Sequence, residues 1–276
     1  METRHLVDPV RYRQMTGAEL RQAFLVEDLF APDEVRLLHW EAERTIIGSL
    51  VPATRPLALP NPPEIKAPFF LARRELGILN LGGPGTVSVD GASHTLGHRD
   101  ILYVGRGAQE VACASAQASA PSLFYFVSHP AHAPHPTTLA TAEGAQTIPI
   151  GDTAHASERV LRRYIHEKGV RSCQLVMGVT DIQAGSVWNT LPPHTHVRRT
   201  EIYLYFDLQA AERVVHLMGP PEETRHLVVR NLQAVLSPPW SIHFGAGSSR
   251  YAFVWSMGGE NQEFEDMQVL TLDRLR

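Results

Sequence analysis

Hydrophobic and polar positions along this chain mostly follow a period of two, the mark of strands with one face inward. Thr86-Val87-Ser88-Val89 alternates and runs into Asp90-Gly91, a strong hairpin signal. Short apolar runs at residues 76–81, 101–104 and 123–127 are closed by Gly- or Pro-containing turns. The same texture returns at 174–179, 201–206, 214–218, 227–229, 234–236 and 251–255. Strands this short and evenly spaced predict an antiparallel sandwich or barrel. Another strand is expected from Thr45, ending in the Pro-rich stretch 52–63, and a short strand or helix at 269–272. Helical periodicity is confined to residues 17–40. Thr16 or Gly17 starts a first helix with Glu19 in its opening turn, and a second short helix is expected from Pro32, with Asp33 and Glu34 leading into Val35, Leu37 and Leu38. Residues 128–157, rich in Pro, Ala, Thr and His, read as a linker. The segment 72–78 is matched in order by 197–203, and each is followed by further strands and an apolar strand ending in Gly or Pro. That echo predicts a duplicated β-barrel.

Composition narrows the function. The chain has 276 residues, 43% hydrophobic and 20% charged, which suits one large or two ordinary globular domains and excludes wholesale disorder. Its 25 basic and 29 acidic side chains leave a net charge of −4. No basic field exists to meet a nucleic acid. No apolar run approaches the roughly 18 residues that span a bilayer, and the charged N-terminal segment does not read as a secretory signal. The expected setting is a reducing cytoplasm. Two Cys, Cys113 and Cys173, exclude a disulfide scaffold and a thiolate zinc site. With 14 His present, any metal must be held by imidazole and carboxylate.

The segment Pro192-Pro193-His194-Thr195-His196-Val197-Arg198-Arg199-Thr200-Glu201 carries the chemistry. On an extended chain His194 and His196 point to one side. Glu201 returns a carboxylate on the strand that follows, and His243, expected at the end of a later strand, is the candidate fourth ligand. Three imidazoles and one carboxylate suit Zn, Fe, Ni or Mn. Parity places Glu201, Tyr203 and Tyr205 on one inward face. Either Tyr packs the core or donates to a substrate oxygen, with Tyr205 the stronger candidate. Arg225 is the candidate for bidentate capture of a substrate carboxylate, with Arg163 a second, while Arg198 and Arg199 lie near the ligands by sequence, one of them readable as a solvated or interface charge. Glu260 and Glu223 are the candidate bases, each weighed against a surface ion pair. Cys173 reads as a small buried hydrophobe, and His129, His132 and His135 as scattered residues of the linker.

The wider set of motifs is similar to one family. Arg73-Arg74-Glu75-Leu76-Gly77, Gly97-His98-Arg99-Asp100, Trp188-Asn189-Thr190, Glu223-Thr224-Arg225-His226, Pro239-Trp240-Ser241-Ile242-His243 and Gly259-Glu260-Asn261-Gln262 together resemble the 5-keto-4-deoxyuronate isomerases, two-cupin ketol-isomerases of bacterial pectin breakdown. His-x-His-x4-Glu with a later His also looks like the cupin metal motif. The resemblance runs from about Arg21 to Arg276. It implies a mainly β bicupin of two antiparallel β-barrel or jelly-roll domains, residues 1–140 without metal ligands and residues 141–276 with them. It further implies one Zn²⁺ per subunit on His194, His196, Glu201 and His243, a small uronate substrate and a homohexamer. The implied reaction converts 5-dehydro-4-deoxy-D-glucuronate to 3-deoxy-D-glycero-2,5-hexodiulosonate; Glu260 or a zinc-bound water is the candidate base that carries the proton from C2 to C1. An oxygenase or decarboxylase on the same scaffold, and a non-catalytic carbohydrate-binding cupin, are the alternatives. The first half departs from the pattern: aligning Arg73-Arg74 on Arg198-Arg199 puts Phe69, Leu71 and Leu76 where His194, His196 and Glu201 stand. Glu75, one position off, is expected at a surface or interface.

Overall fold

A computed structural model describes residues 1–260, 262–263 and 266–276. The chain forms two compact units built from interleaved segments. The first comprises Met1–Arg4, Asp28–Gln146 and Arg163–Met177, and the second His5–Glu27, Thr147–Arg162 and Gly178–Arg276.

In the first unit a seven-stranded sheet runs in the order Glu2–Arg4, Val35–Trp40, Thr45–Leu50, Phe124–Pro130, Arg74–Asn80, Ile101–Val104, Thr138–Ala140. A four-stranded sheet, Leu57–Ala58, Val111–Ser115, Gly85–Val89, Ala92–Leu96, faces it. Leu76, Ile78 and Phe126 from the first sheet and Val87, Val111 and Cys113 from the second share one buried apolar cluster. The second unit repeats the plan. Its large sheet has the order Gln146–Ile150, Arg159–Ile165, Val176–Ile182, Ala252–Gly259, Arg199–Phe206, Gln233–Ser237, Leu25–Val26. Its small sheet has the order Trp188–Asn189, Ile242–Gly247, Val214–Gly219, Arg225–Val229. His194–Thr195 pairs separately with Gln268–Val269. The expected mainly β, duplicated architecture is present, as two double-sheet jelly rolls rather than closed barrels.

Local chemistry explains most elements. Asp90 (φ 48°) and Gly91 (φ 84°) occupy the two left-handed positions of a type I′ turn, which sets Val89 opposite Ala92. Helix Gly17–Phe24 starts with a capping box: Thr16 Oγ1 accepts from the Glu19 N–H while Glu19 accepts from the Thr16 N–H. Leu20 and Phe24 form its buried face.

Three expectations change. The second helix is absent: Val35–Trp40 is a strand paired antiparallel along its whole length with Thr45–Leu50, so cross-strand partners override a helix-start signal. The stretch 128–157 is not a plain linker. Strand Phe124–Pro130 runs into it, and Thr138–Ala140 and Gln146–Ile150 are strands. His129 is buried on that first strand, where burial, aided by the nearby Arg74 charge, lowers its pKa to about 3. Glu75 is not at a surface. It is fully buried, and its carboxylate accepts from the backbone N–H groups of Cys173 (2.6 Å), Gln174 (2.8 Å) and Leu175 (2.8 Å) and from the Tyr103 hydroxyl (2.8 Å). Cys173 is half-buried, with its Sγ donating to the Ala133 carbonyl, and burial pushes its thiol pKa up, against a reactive role.

Candidate metal centre

Strand Arg199–Phe206 is buried along its whole length between Ala252–Gly259 and Gln233–Ser237. Its alternation turns Glu201, Tyr203 and Tyr205 inward, and all three are buried. The turn before it brings in His194 and His196. From the small sheet comes His243, the second residue of its strand rather than the last. The Nε2 atoms of His194 and His196 lie 3.0 Å apart, and those of His243 and His194 3.1 Å. Glu201 Oε2 is 2.7 Å from His243 Nε2 and 3.2 Å from His196 Nε2, without the angles of a hydrogen bond, and is left orphaned in the interior. One ligand atom from each residue falls within 4.8 Å of all the others.

That donor set fits a metal ion. His196 Nδ1 is 3.0 Å from Asp266 Oδ1, and His243 Nδ1 lies 3.2 Å from Ser237 Oγ and 3.3 Å from the Ser241 carbonyl. Partners that accept from Nδ1 leave Nε2 as the lone-pair atom of the ring. Those two lone pairs then converge with His194 Nε2 and the Glu201 carboxylate, an arrangement that suits a cation. Burial, with the neighbouring His243 and His196, holds His194 neutral by driving its pKa well below the usual value. For Glu201 burial works to raise the pKa, but the flanking His243 and His196 outweigh it and hold the carboxyl well below its usual value. Asp266 is itself fixed by Arg199, a fully buried side chain whose Nε lies 3.0 Å from Asp266 Oδ2. Arg199 thus orients a ligand's partner, a part that the sequence reading missed.

A cavity of about 220 Å³ opens on this group. His194, His196, Glu201 and Tyr203 form its polar side. Leu161, Leu191, Phe253, Trp255 and Met257 are among its apolar wall. Tyr203, rather than Tyr205, stands on the cavity, with its hydroxyl 3.0 Å from Thr190 Oγ1. Burial, reinforced by the Glu201 charge, keeps that phenol protonated. Tyr205 lies deeper, its hydroxyl 2.7 Å from His216 Nδ1.

The other sequence candidates do not line this cavity. Glu260 is exposed and ion-paired with Arg198. Glu223 pairs with Arg13 at 3.1 Å, and both are well exposed. Arg225 is committed to the backbone carbonyls of Tyr12 (3.2 Å) and Met15 (2.6 Å), so it clamps the N-terminal segment of the second unit onto the strand Arg225–Val229. Arg163 lines a different cavity. These residues were chosen for side-chain type and nearness in sequence, and sequence nearness does not report which face of a strand a residue takes. The arginine that does line the cavity is Arg159, which no motif marks.

Across its whole length the chain is 51% identical, over 279 residues, to the 4-deoxy-L-threo-5-hexosulose-uronate ketol-isomerase of Kineococcus radiotolerans, with all of both chains covered. It is 47% identical over 276 residues to the protein of the same name from Halalkalibacterium halodurans, again with full coverage of both. Among solved structures it is similar to an IolB-like protein from Salmonella typhimurium, with a TM-score of 0.73 at 12% identity over 90% of this chain and 96% of that one. A Bacillus subtilis oxalate decarboxylase mutant matches at a TM-score of 0.55 and 10% identity, over 82% of this chain and 70% of that one. At such identities these two likenesses speak for the cupin-type fold alone. The KduI/IolB family profile matches residues 31–271. With two full-length relatives named for the same activity and a buried three-histidine, one-carboxylate group facing a cavity, this chain is an enzyme, a ketol-isomerase, and belongs to the KduI/IolB family.

Proposed function

We propose that the enzyme holds one zinc ion on His194, His196, Glu201 and His243 and converts 5-dehydro-4-deoxy-D-glucuronate into 3-deoxy-D-glycero-2,5-hexodiulosonate, a step in the breakdown of pectin-derived uronates. The observation that carries this reading is the meeting of three Nε2 atoms with an orphaned carboxylate oxygen at the wall of a small cavity. The substrate is that for which the full-length relatives are named. Bound there, the ion supplies Lewis-acid polarisation of a carbonyl oxygen, which acidifies the neighbouring C–H.

The isomerisation moves a hydrogen from C2 to C1 and the carbonyl from C1 to C2. With the His and Glu side chains of the lining committed as ligands, the Tyr203 hydroxyl is the group there that can hold a proton for the substrate. A neutral phenol fixed by Thr190 suits donation to a substrate oxygen. The apolar remainder of the wall excludes water from that hydrogen bond. Glu260, exposed and paired, has no part in this scheme.

Among the described residues, no helix is long and apolar enough to cross a membrane. The reading includes a cytoplasmic homohexamer with no nucleic-acid or membrane partner. Light scattering checks the assembly against six times the 30.6 kDa chain. Metal analysis of the purified protein, combined with an anaerobic isomerase assay, tests the activity. Zinc near one per chain with oxygen-independent turnover that a chelator abolishes is the expected result. Iron with oxygen uptake, release of CO₂, or full turnover without metal would reject it, and bound metal without turnover of the keto-uronate would point to the binding protein.

A further inference from the structure

Arg159 is the first residue of strand Arg159–Ile165 and is half-buried in the cavity wall. It is the one Lys or Arg among the lining residues, and Glu201, the one carboxylate there, is enclosed by the histidines. Arg159 Nη1 donates to the Ser157 carbonyl at 2.9 Å, which anchors one arm of the guanidinium. Among the described residues the rest of the fork has no protein acceptor, and no carboxylate forms an ion pair with it. The other arginines near the site are occupied: Arg199 by Asp266, Arg198 by Glu260, and Arg225 by two backbone carbonyls.

A guanidinium half removed from water and walled by hydrocarbon is costly unless something accepts from it. Burial already lowers its pKa. An anchored arm with a free fork is the geometry that binds a carboxylate in two parallel hydrogen bonds. Tyr203 and Thr190 share the wall, so a ligand held there has neutral donors beside the charge.

We infer that Arg159 receives the carboxylate of the sugar acid and makes this cavity select acids over neutral sugars. The inference rests on reading the cavity as the substrate site. It gives the anchoring role expected of Arg225 to a residue that lines the cavity. Arg159 is a binding and positioning residue, and the metal group and Tyr203 remain at the reacting end.

Calorimetric titration of the metal-loaded protein with D-gluconate and with the neutral D-glucitol tests this without turnover. The wild type should prefer the acid. Arg159→Gln should weaken gluconate binding about 10- to 100-fold while glucitol stays within about twofold. Arg159→Lys, which keeps the charge and loses the fork, should retain part of the preference, and it serves if the Gln variant does not fold. Equal affinity for acid and alcohol in the wild type, an unchanged preference in Arg159→Gln, or an equal loss for both ligands overturns the inference. With keto-uronate, the Gln variant should lose kcat/KM mainly through KM at unchanged zinc content. If the acid preference depends on Arg159 but the wild type does not turn over the keto-uronate, the isomerase reading falls and the acid site stands.

Discussion

At the centre of the first unit, strand Arg74–Asn80 turns Leu76 and Ile78 into a hydrocarbon core with Phe70, Leu71 and Val111. At the same register of the second unit, strand Arg199–Phe206 turns in Glu201 and Tyr203: Leu76 stands opposite Val104 as Glu201 stands opposite Ser237. The register of the small sheets likewise sets Val111 opposite Val89 where His243 is opposite Met218. The strand order is the same in both except at one edge of the large sheet, which is closed by Thr138–Ala140 in the first unit and by Leu25–Val26 in the second. One scaffold therefore tolerates either filling, and the residue types at its inward positions decide whether it presents a His/Glu donor group or an oily core. Glu75 sharpens the point. A carboxylate one position from the ligand register faces the other side of the sheet, where four donors satisfy it and no ligands meet it.

The largest effect expected from breaking this contrast is at the second unit's group. His243→Ala should release the metal and lower turnover by roughly 10³-fold or more, since polarisation by the ion is worth several kcal/mol; metal content and rate measured together check it. The counterpart in the first unit is structural. Glu75→Ala leaves four buried donors without their acceptor and should cost about 3–5 kcal/mol in urea unfolding, with zinc per folded chain unchanged. A loss of zinc without loss of stability would reverse the contrast. Asp266→Asn removes the charge that orients His196 and should weaken metal affinity about 10- to 100-fold in a competition titration.

A smaller effect is pH-dependent and belongs to the first unit. His129 has a folded pKa of about 3 against 6.5 when unfolded. The unfolded chain thus binds the extra proton between those values, and stability is lost as pH falls from about 6.5 towards 3, by at most about 1.4 kcal/mol per pH unit. His129→Leu should flatten that slope in unfolding curves taken at several pH values. Least of all, Glu260→Gln should leave kcat within about twofold of the wild type, as expected of an exposed ion pair. A large fall in kcat at constant zinc content would restore Glu260 as the base.

Much of the fold was legible because strands with one buried face leave a period of two, and because Asp90-Gly91 supplies the backbone that its turn needs. The helix expected from Pro32 failed for a physical reason: Val35, Leu37, Leu38 and Trp40 suit either period, and the hairpin partner Thr45–Leu50 decided between them. His129 and Glu75 were misplaced because a polar side chain in a Pro-rich or charged stretch reads as exposed, whereas burial depends on donors from distant segments. Of the site, the group His194, His196, Glu201 and His243 could be read from spacing, since two histidines two apart on an extended chain share a face.

The sequence by itself determined which side chains could hold a metal and that the chain is built twice on one strand plan, because ligand chemistry and face alternation are local properties. The tertiary structure decided which residues line the cavity with them. It set Tyr203 at the wall and Tyr205 below it, brought Asp266 and Arg199 behind His196, and placed Arg159 in the wall while Glu260 and Glu223 went to surface ion pairs. Those choices depend on how sheets stack and which strands become neighbours, and no local pattern records that.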